Sequence, residues 1–203
     1  MTDVLVDVSW GDVSQEEANR LALAAWDGQA QEHVAGSTEP WVSRLVADFA
    51  IAIGAKTILE TGGYLGDTTE AIVLAMDSLG VSNEGLTVCE IDPDRAEKLR
   101  QRFSYLQAPH FVCGDVLDFL RTTRDTFDLA FVDDCHEEAH VRQEIALLYP
   151  RMRSGGLIVC HDVVGLCPGN TEELGRIVEK WGGYVIPLPR LGLAGGLGVI
   201  VVR

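Results

Sequence analysis

The stretch that decides the fold runs Thr57-Ile58-Leu59-Glu60-Thr61-Gly62-Gly63-Tyr64-Leu65-Gly66. A short apolar run ends in a carboxylate, a glycine turn follows, and helix-forming residues begin just after it. Glycines let a backbone approach a ligand closely. A helix N-terminus adds partial positive charge. The spacing is Glu-x-Gly-x-x-x-Gly, not the Gly-x-Gly-x-x-Gly of dinucleotide sites. A carboxylate at the strand end suits a cationic amine better than a pyrophosphate. An ordinary glycine turn is the simpler alternative for the glycines alone.

From Thr57 onward, apolar runs alternate with helical segments. The pattern predicts strands at 57–61, 86–90, 109–113, 127–132, 156–160, 184–188 and 197–202. Helices are predicted at 67–79, 93–106, 116–122, 137–148 and near 171–181. This alternation argues for a parallel sheet covered on both faces. The last two strands are only about eight residues apart. That is too short for a crossover helix, so the final strand is expected to be antiparallel. Upstream, residues 13–26 have helical spacing with a Ser14/Glu17 capping box. Pro40 suits the first turn of a helix over 39–53. The organisation expected is an N-terminal helical cap or lid over 1–40 and one domain over 41–203.

Composition narrows the function. The 203 residues carry a formal charge of −15, with 31 acidic against 16 basic side chains, and 47% are apolar. This is enough apolar material for a packed core and too hydrophobic for a disordered polyanion. The acidity argues against a nucleic-acid groove and an anionic membrane surface. No signal peptide or 18-residue apolar run is visible, so a cytoplasmic protein is expected. The cysteines are Cys89, Cys113, Cys135, Cys160 and Cys167. With no Cys-x-x-Cys pair, they are expected to be reduced thiols, mostly in or near the core.

Further carboxylates stand at the predicted strand ends. Glu90 ends the second strand and can accept hydrogen bonds from both ribose hydroxyls of any adenosine cofactor. Asp92 is expected to cap the helix opened by Pro93. Asp115 either accepts from an adenine amino group or caps the helix starting at Val116.

Together these stretches resemble the class I S-adenosylmethionine-dependent methyltransferases. The residues that carry the resemblance are Glu60–Gly66, Val88–Asp92, Gly114-Asp115, Phe127–Asp133 and Ser154–Val159. It covers roughly residues 40–203. It implies a Rossmann-like seven-stranded sheet of order 3-2-1-4-5-7-6, with the seventh strand antiparallel. It places Gly62, Gly63 and Gly66 against the methionine part of the cofactor, near Glu60. Glu90, with Ile91 beside it, falls on the ribose. Asp115 and Val116 fall on the adenine, and Asp133 borders the cofactor.

Phe131-Val132-Asp133-Asp134-Cys135-His136 carries the chemistry. Asp133 ends the fourth strand, and His161-Asp162 ends the next. Adjacent strand ends lie side by side, so Asp133 and Asp162 are expected to face one site. Two close carboxylates repel unless protonated or bridged by a cation. Mg²⁺ or Mn²⁺ fits such oxygen ligands. A metal can lower the pKa of a substrate hydroxyl, and a histidine near neutrality can take its proton. His136 is placed for that. His140, one helical turn on, could share its face but is not counted among the site residues. Trp10, Trp26, Trp41 and Trp181 read as packing residues.

This end of the chain is similar to small-molecule O-methyltransferases acting on sugars and macrolides, with their VDGDH-type turn and later HD pair. The similarity implies Asp133 and Asp162 as metal ligands and His136 as base. His161 stands where metal-dependent relatives carry an acidic ligand, so it joins the ligand set, with a buried histidine that orients the loop as the favoured alternative. Val163 replaces the asparagine ligand of catechol-type members, which favours an alcohol or sugar hydroxyl as acceptor. The group's turn glycine and aspartate are replaced by Asp134 and Cys135. The acceptor is expected to be walled by the N-terminal helices, the 163–171 loop and a hairpin at 189–196 containing Gly192, Gly195 and Gly196. Rival readings are an N- or C-methyltransferase, a non-catalytic cofactor-binding scaffold, and an NAD-dependent oxidoreductase. A homodimer through helix 41–53 is left open.

Overall fold

The sheet is built from β1 (Ile58–Thr61), β2 (Leu86–Glu90), β3 (His110–Cys113), β4 (Phe127–Val132), β5 (Met152–Val164), β6 (Tyr184–Ile186) and β7 (Gly195–Val201). The computed structural model describes residues 38–104, 108–164, 171–186 and 195–203. All belong to one compact unit, Gly36–Arg203. The strand order is β3-β2-β1-β4-β5-β7-β6, with β7 antiparallel to both its neighbours. The order and the reversed last strand are as expected. Residues 1–37 of the expected 1–40 cap, most of the 163–171 loop and the hairpin up to residue 194 lie outside the described residues.

β1 and β2 are buried at every position, as parallel strands between two helical layers must be. Successive residues feed opposite faces. Ile58, Val88, Phe131 and Val159 face α1 (Pro40–Ile53), α2 (Asp67–Ser78) and α3 (Pro93–Arg102). Leu59, Ala130, Ile158 and Ile200 face α4 (Val116–Thr122), α5 (Glu138–Leu148) and α6 (Thr171–Lys180). Each fully buried Ile, Leu or Phe contributes about 1.5–3 kcal/mol. Trp41 and Trp181 pack against the two cores, as expected.

Local signals set the helix ends. Pro40 opens α1, and Gly54 closes it in the left-handed conformation at φ 63°. Asp92 accepts from the amides of Asp94 and Arg95 to start α3, confirming its capping role. The sequence placed the end of α3 too late, because Phe103 and Ser104 turn away from the helix. β5 begins at Met152, four residues earlier than expected. Gly155 and Gly156 both lie inside the strand. Gly156 has no side chain, so the backbone passes close to the Asp128 carbonyl. Cys89 and Cys160 are buried thiols, whereas Cys113 is exposed at the sheet edge. Among the described residues, no helix is long and apolar enough to cross a membrane.

Asp128 ties the start of β4 to the entry of β1. Its carboxylate accepts from the Lys56 and Thr57 amides at 2.8 and 3.0 Å, and from Arg153 at 2.8 Å. Burial opposes ionisation, but these donors hold its pKa below the ordinary carboxylate value. The bonds therefore stabilise the fold above the unfolded pKa, about 3.9, and the gain is lost as pH falls. Asp128→Ala is expected to cost about 1–3 kcal/mol at pH 7 and progressively less below pH 4. Urea midpoints at the two pH values check this, and a pH-independent difference would contradict it.

Candidate active site at the carboxyl ends of the strands

β1 has β2 on one side and β4 on the other, so the crevice beyond its carboxyl end is where such sheets bind ligands. A cavity of about 610 Å³ opens there. It is lined by Glu60, Gly62, Gly63, Gly66, Glu90, Ile91, Asp115, Val116, Asp133, His136, His161 and Asp162. Every site residue expected from the sequence thus reaches one wall or another of it.

The glycine loop has a tighter job than the sequence suggests. Gly62 and Gly66 have φ of 83° and 87°, and Tyr64 also has a positive φ, 43°. The amides of Gly62 and Gly63 both donate to the Cys89 carbonyl. A Cβ on Gly62 would overlap the backbone of Asp133 and Asp134. On Gly63 it would lie 2.7 Å from Leu99 and Val88, and on Gly66 it would lie 2.8 Å from Leu99 and Phe103. The glycines therefore let the loop nest against β4 and α3, and by doing so keep the cavity open. Glu90 holds the other side of the loop. Its carboxylate accepts from the amides of Tyr64 and Asp92 at 2.8 and 2.9 Å. Arg95 lies over the Tyr64 ring, 4.6 Å from its centroid. Asp115 caps α4 by accepting from Leu117 at 2.8 Å, and it also faces the cavity.

The wall is strongly acidic. Seven carboxylates line it, and among the described residues Arg95 is the only lysine or arginine that does. Glu60 is buried at the floor and accepts from Thr69 at 2.6 Å. Burial pushes its pKa up to about 8, against the Thr69 bond. Such a site favours a cationic ligand and has no cradle for a pyrophosphate.

At the β4–β5 end a chain of charges crosses the site. His161 Nε2 lies 2.9 Å from Glu39 Oε2, and its Nδ1 lies 2.9 Å from Asp133 Oδ1. Thr38 donates to the other Asp133 oxygen at 2.6 Å. Burial disfavours charge on both groups. The Asp133 and Glu39 carboxylates nevertheless raise His161 to about 10, and His161 leads the interactions that hold Asp133 at about 2. His161 is thus an imidazolium clamp. Both its ring nitrogens are taken in this arrangement, which matches the buried, orienting histidine of the sequence reading rather than the ligand. Thr38 and Glu39 were missed. They sit just before α1, and no sequence signal pairs them with residues about a hundred positions away.

His136 lies on the loop before α5. Its Nε2 is 3.6 Å from Asp133 Oδ1 and 3.4 Å from Asp162 Oδ2. Asp133, then Asp162, raise its pKa above the ordinary value. The Nε2 atom and Asp162 Oδ1 are buried without a hydrogen-bond partner. Asp162 is held at a positive φ of 51°. His140 turns instead to Asp134, at 2.9 Å, so it does not share the face of His136.

The donor types fit a divalent cation. Ligand atoms of Asp133 and His136 lie within 4.8 Å of one another, while His161, an imidazolium with both nitrogens taken, adds none. Asp162 adds an unsatisfied oxygen. Three carboxylates, of Glu39, Asp133 and Asp162, face one imidazolium, which leaves an excess negative charge for a cation to balance.

A family described as a methyltransferase domain matches residues 59–163, more than half of the chain. No curated protein matches the sequence significantly. Solved structures match closely in fold. The O-methyltransferase TomG of Streptomyces achromogenes, in complex with SAM, is 17% identical with a TM-score of 0.71, over 94% of this chain and 99% of that one. The SAH-bound methyltransferase PaMTH1 of Podospora anserina is 15% identical with a TM-score of 0.72, over 94% and 97%. The N-methyltransferase NodS of Bradyrhizobium japonicum is 18% identical with a TM-score of 0.61, over 78% and 93%. At these identities the likeness is one of fold.

Proposed function

The chain belongs to this methyltransferase-domain family, and from that premise we propose that it uses S-adenosylmethionine to methylate a hydroxyl of a small metabolite, of the sugar class. The observation that carries the reading is the acidic cavity with Glu60 at its floor. A sulfonium cofactor that also bears an ammonium matches that field, and a dinucleotide does not. The SAM and SAH bound to TomG and PaMTH1 support the same cofactor here.

In this reading Glu60 receives the cofactor ammonium, Glu90 the ribose hydroxyls, and Asp115 with Val116 the adenine. The acceptor oxygen attacks the methyl carbon in line with the carbon–sulfur bond. That bond breaks, and the sulfur leaves as the neutral thioether of S-adenosylhomocysteine. The acceptor proton passes to the His136 imidazole and then to solvent. Asp133 and Asp162 orient the imidazole and stabilise the imidazolium that forms. A divalent cation held by Asp133 and Asp162, Mg²⁺ or Mn²⁺ by donor type, would lower the pKa of the acceptor hydroxyl. The clamp of His161 keeps Asp133 ionised throughout.

Calorimetry with S-adenosylhomocysteine, and separately with NAD, tests the cofactor. We expect micromolar binding of the first and none of the second. At pH 7 most Glu60 carboxyls carry a proton, because their pKa lies near 8. Ammonium binding ionises the group, so close to one proton is released per cofactor. Titrations in buffers of differing ionisation enthalpy measure that release. Glu60→Gln is expected to abolish it and to weaken binding by about tenfold or more. NAD binding, or no binding of either ligand to folded protein, overturns the reading. Mass fragmentation of the product separates an oxygen acceptor from nitrogen or carbon.

A further inference from the structure

A second group of ligating side chains lies beside the base, where neither the sequence motifs nor the proposed reaction uses it. Asp134 is on the loop after β4, while His140 and Glu144 stand one turn apart on one face of α5. His140 Nε2 lies 2.9 Å from Asp134 Oδ2 and 3.9 Å from Glu144 Oε2. Candidate ligand atoms of all three lie within 4.8 Å of one another.

Glu144 is the informative member. Its side chain is 0% exposed, and it points at the other two from inside the protein. Neither carboxylate oxygen has a hydrogen-bond partner. Its polar surroundings are the Asp134 carboxylate, the Thr61 hydroxyl and, by longer-range repulsion, Asp115. A buried carboxylate facing another carboxylate costs several kcal/mol unless a proton or a cation neutralises it. A proton shared between Glu144 and Asp134 satisfies those two carboxylates. A cation satisfies Glu144, Asp134 and the imidazole together.

We propose that Asp134, His140 and Glu144 form a binding site for a first-row divalent transition cation of the Zn²⁺ type, separate from the Asp133–Asp162 group. One imidazole with two carboxylates is a three-residue set such cations accept. Mg²⁺ and Ca²⁺ prefer oxygen throughout. Asp134 and His140 also line the cavity, which gives the ion an entry path and leaves its fourth position open to water. The cation ties the loop after β4 to α5 and so fixes the segment that carries His136.

Metal-stripped full-length protein is titrated with Co²⁺, read by its visible absorption, and with Zn²⁺ against a chelating dye. The wild type, His140→Gln, Glu144→Gln and Asp162→Asn are compared, with circular dichroism confirming the fold. The expected result is a site that is kept in Asp162→Asn, which removes a ligand of the other group, and weakened by about 100-fold or more in the other two variants. Affinity unchanged by Glu144→Gln and His140→Gln overturns the proposal. So does loss of binding in Asp162→Asn, a thiolate charge-transfer band, or no binding to the wild type. Should Glu144→Gln fail to fold, the partly exposed His140 decides alone. S-adenosylhomocysteine binding measured on the same samples reports on the methyl-transfer reading independently.

Discussion

Replacing His136 by glutamine lowers kcat by about 10²–10⁴-fold and leaves S-adenosylhomocysteine affinity unchanged, the loss expected when a general base is removed. The expectation rests on position. His136 Nε2 lies between Asp133 and Asp162, at 3.6 and 3.4 Å. That nitrogen is buried and has no hydrogen-bond partner, while the side chain as a whole is 41% exposed and lines the cavity. A ring flanked by two carboxylates and partly open to the cavity can take up a proton and keep the resulting charge. Glutamine preserves most of the volume but cannot take up a proton. If His136 only shaped the pocket, the variant would raise KM for the acceptor and spare kcat. A kcat within threefold of wild type would sink the assignment.

The largest effect on stability is expected at His161. Its ring joins Glu39, before α1, to Asp133, at the end of β4, and it sits on β5. His161→Ala leaves two carboxylates facing each other in the interior without their shared cation. Breaking a buried pair in this way costs about 3–5 kcal/mol. The clamp has its own pH signature. The folded pKa of His161, about 10, lies above its unfolded value, so its contribution is complete below about pH 6.5 and fades as pH rises toward 10. Asp133, held at about 2, contributes above about pH 4 and loses its share as pH falls. The stability gap between wild type and His161→Ala is therefore widest between about pH 4 and 6.5. Chemical denaturation at pH 5, 7 and 9 checks this. A gap that stays constant or grows with pH would mean that His161 is neutral and merely packed.

Legibility followed the range of the interactions. The glycine loop, the caps at Asp92 and Asp115, and Pro40 at the start of α1 are decided by neighbours a few residues apart, and each was visible in the sequence. The start of β5 at Met152 was not visible, because glycine inside a strand is a weak local signal, and the partner strand β4 fixes where pairing begins. Helical spacing left open whether His140 shares the face of His136. His140 turned to Asp134 because His136 lies on the loop before α5, so the two do not share a helical register.

The sequence by itself determined the alternation of strands and helices, the carboxylates at the strand ends and the family to which the chain belongs. These rest on periodicity and on short motifs, which a linear chain displays in full. What only the tertiary structure decided is how the charges neutralise one another. Thr38 and Glu39 lie 95 and 122 positions from their partners Asp133 and His161. Glu144 shows its unmet charge only once α5 has buried it beside Asp134. Whether a carboxylate is clamped, protonated or left to hold a cation depends on what surrounds it after water has been excluded. That surrounding is a property of packing, and no local pattern of residues encodes it.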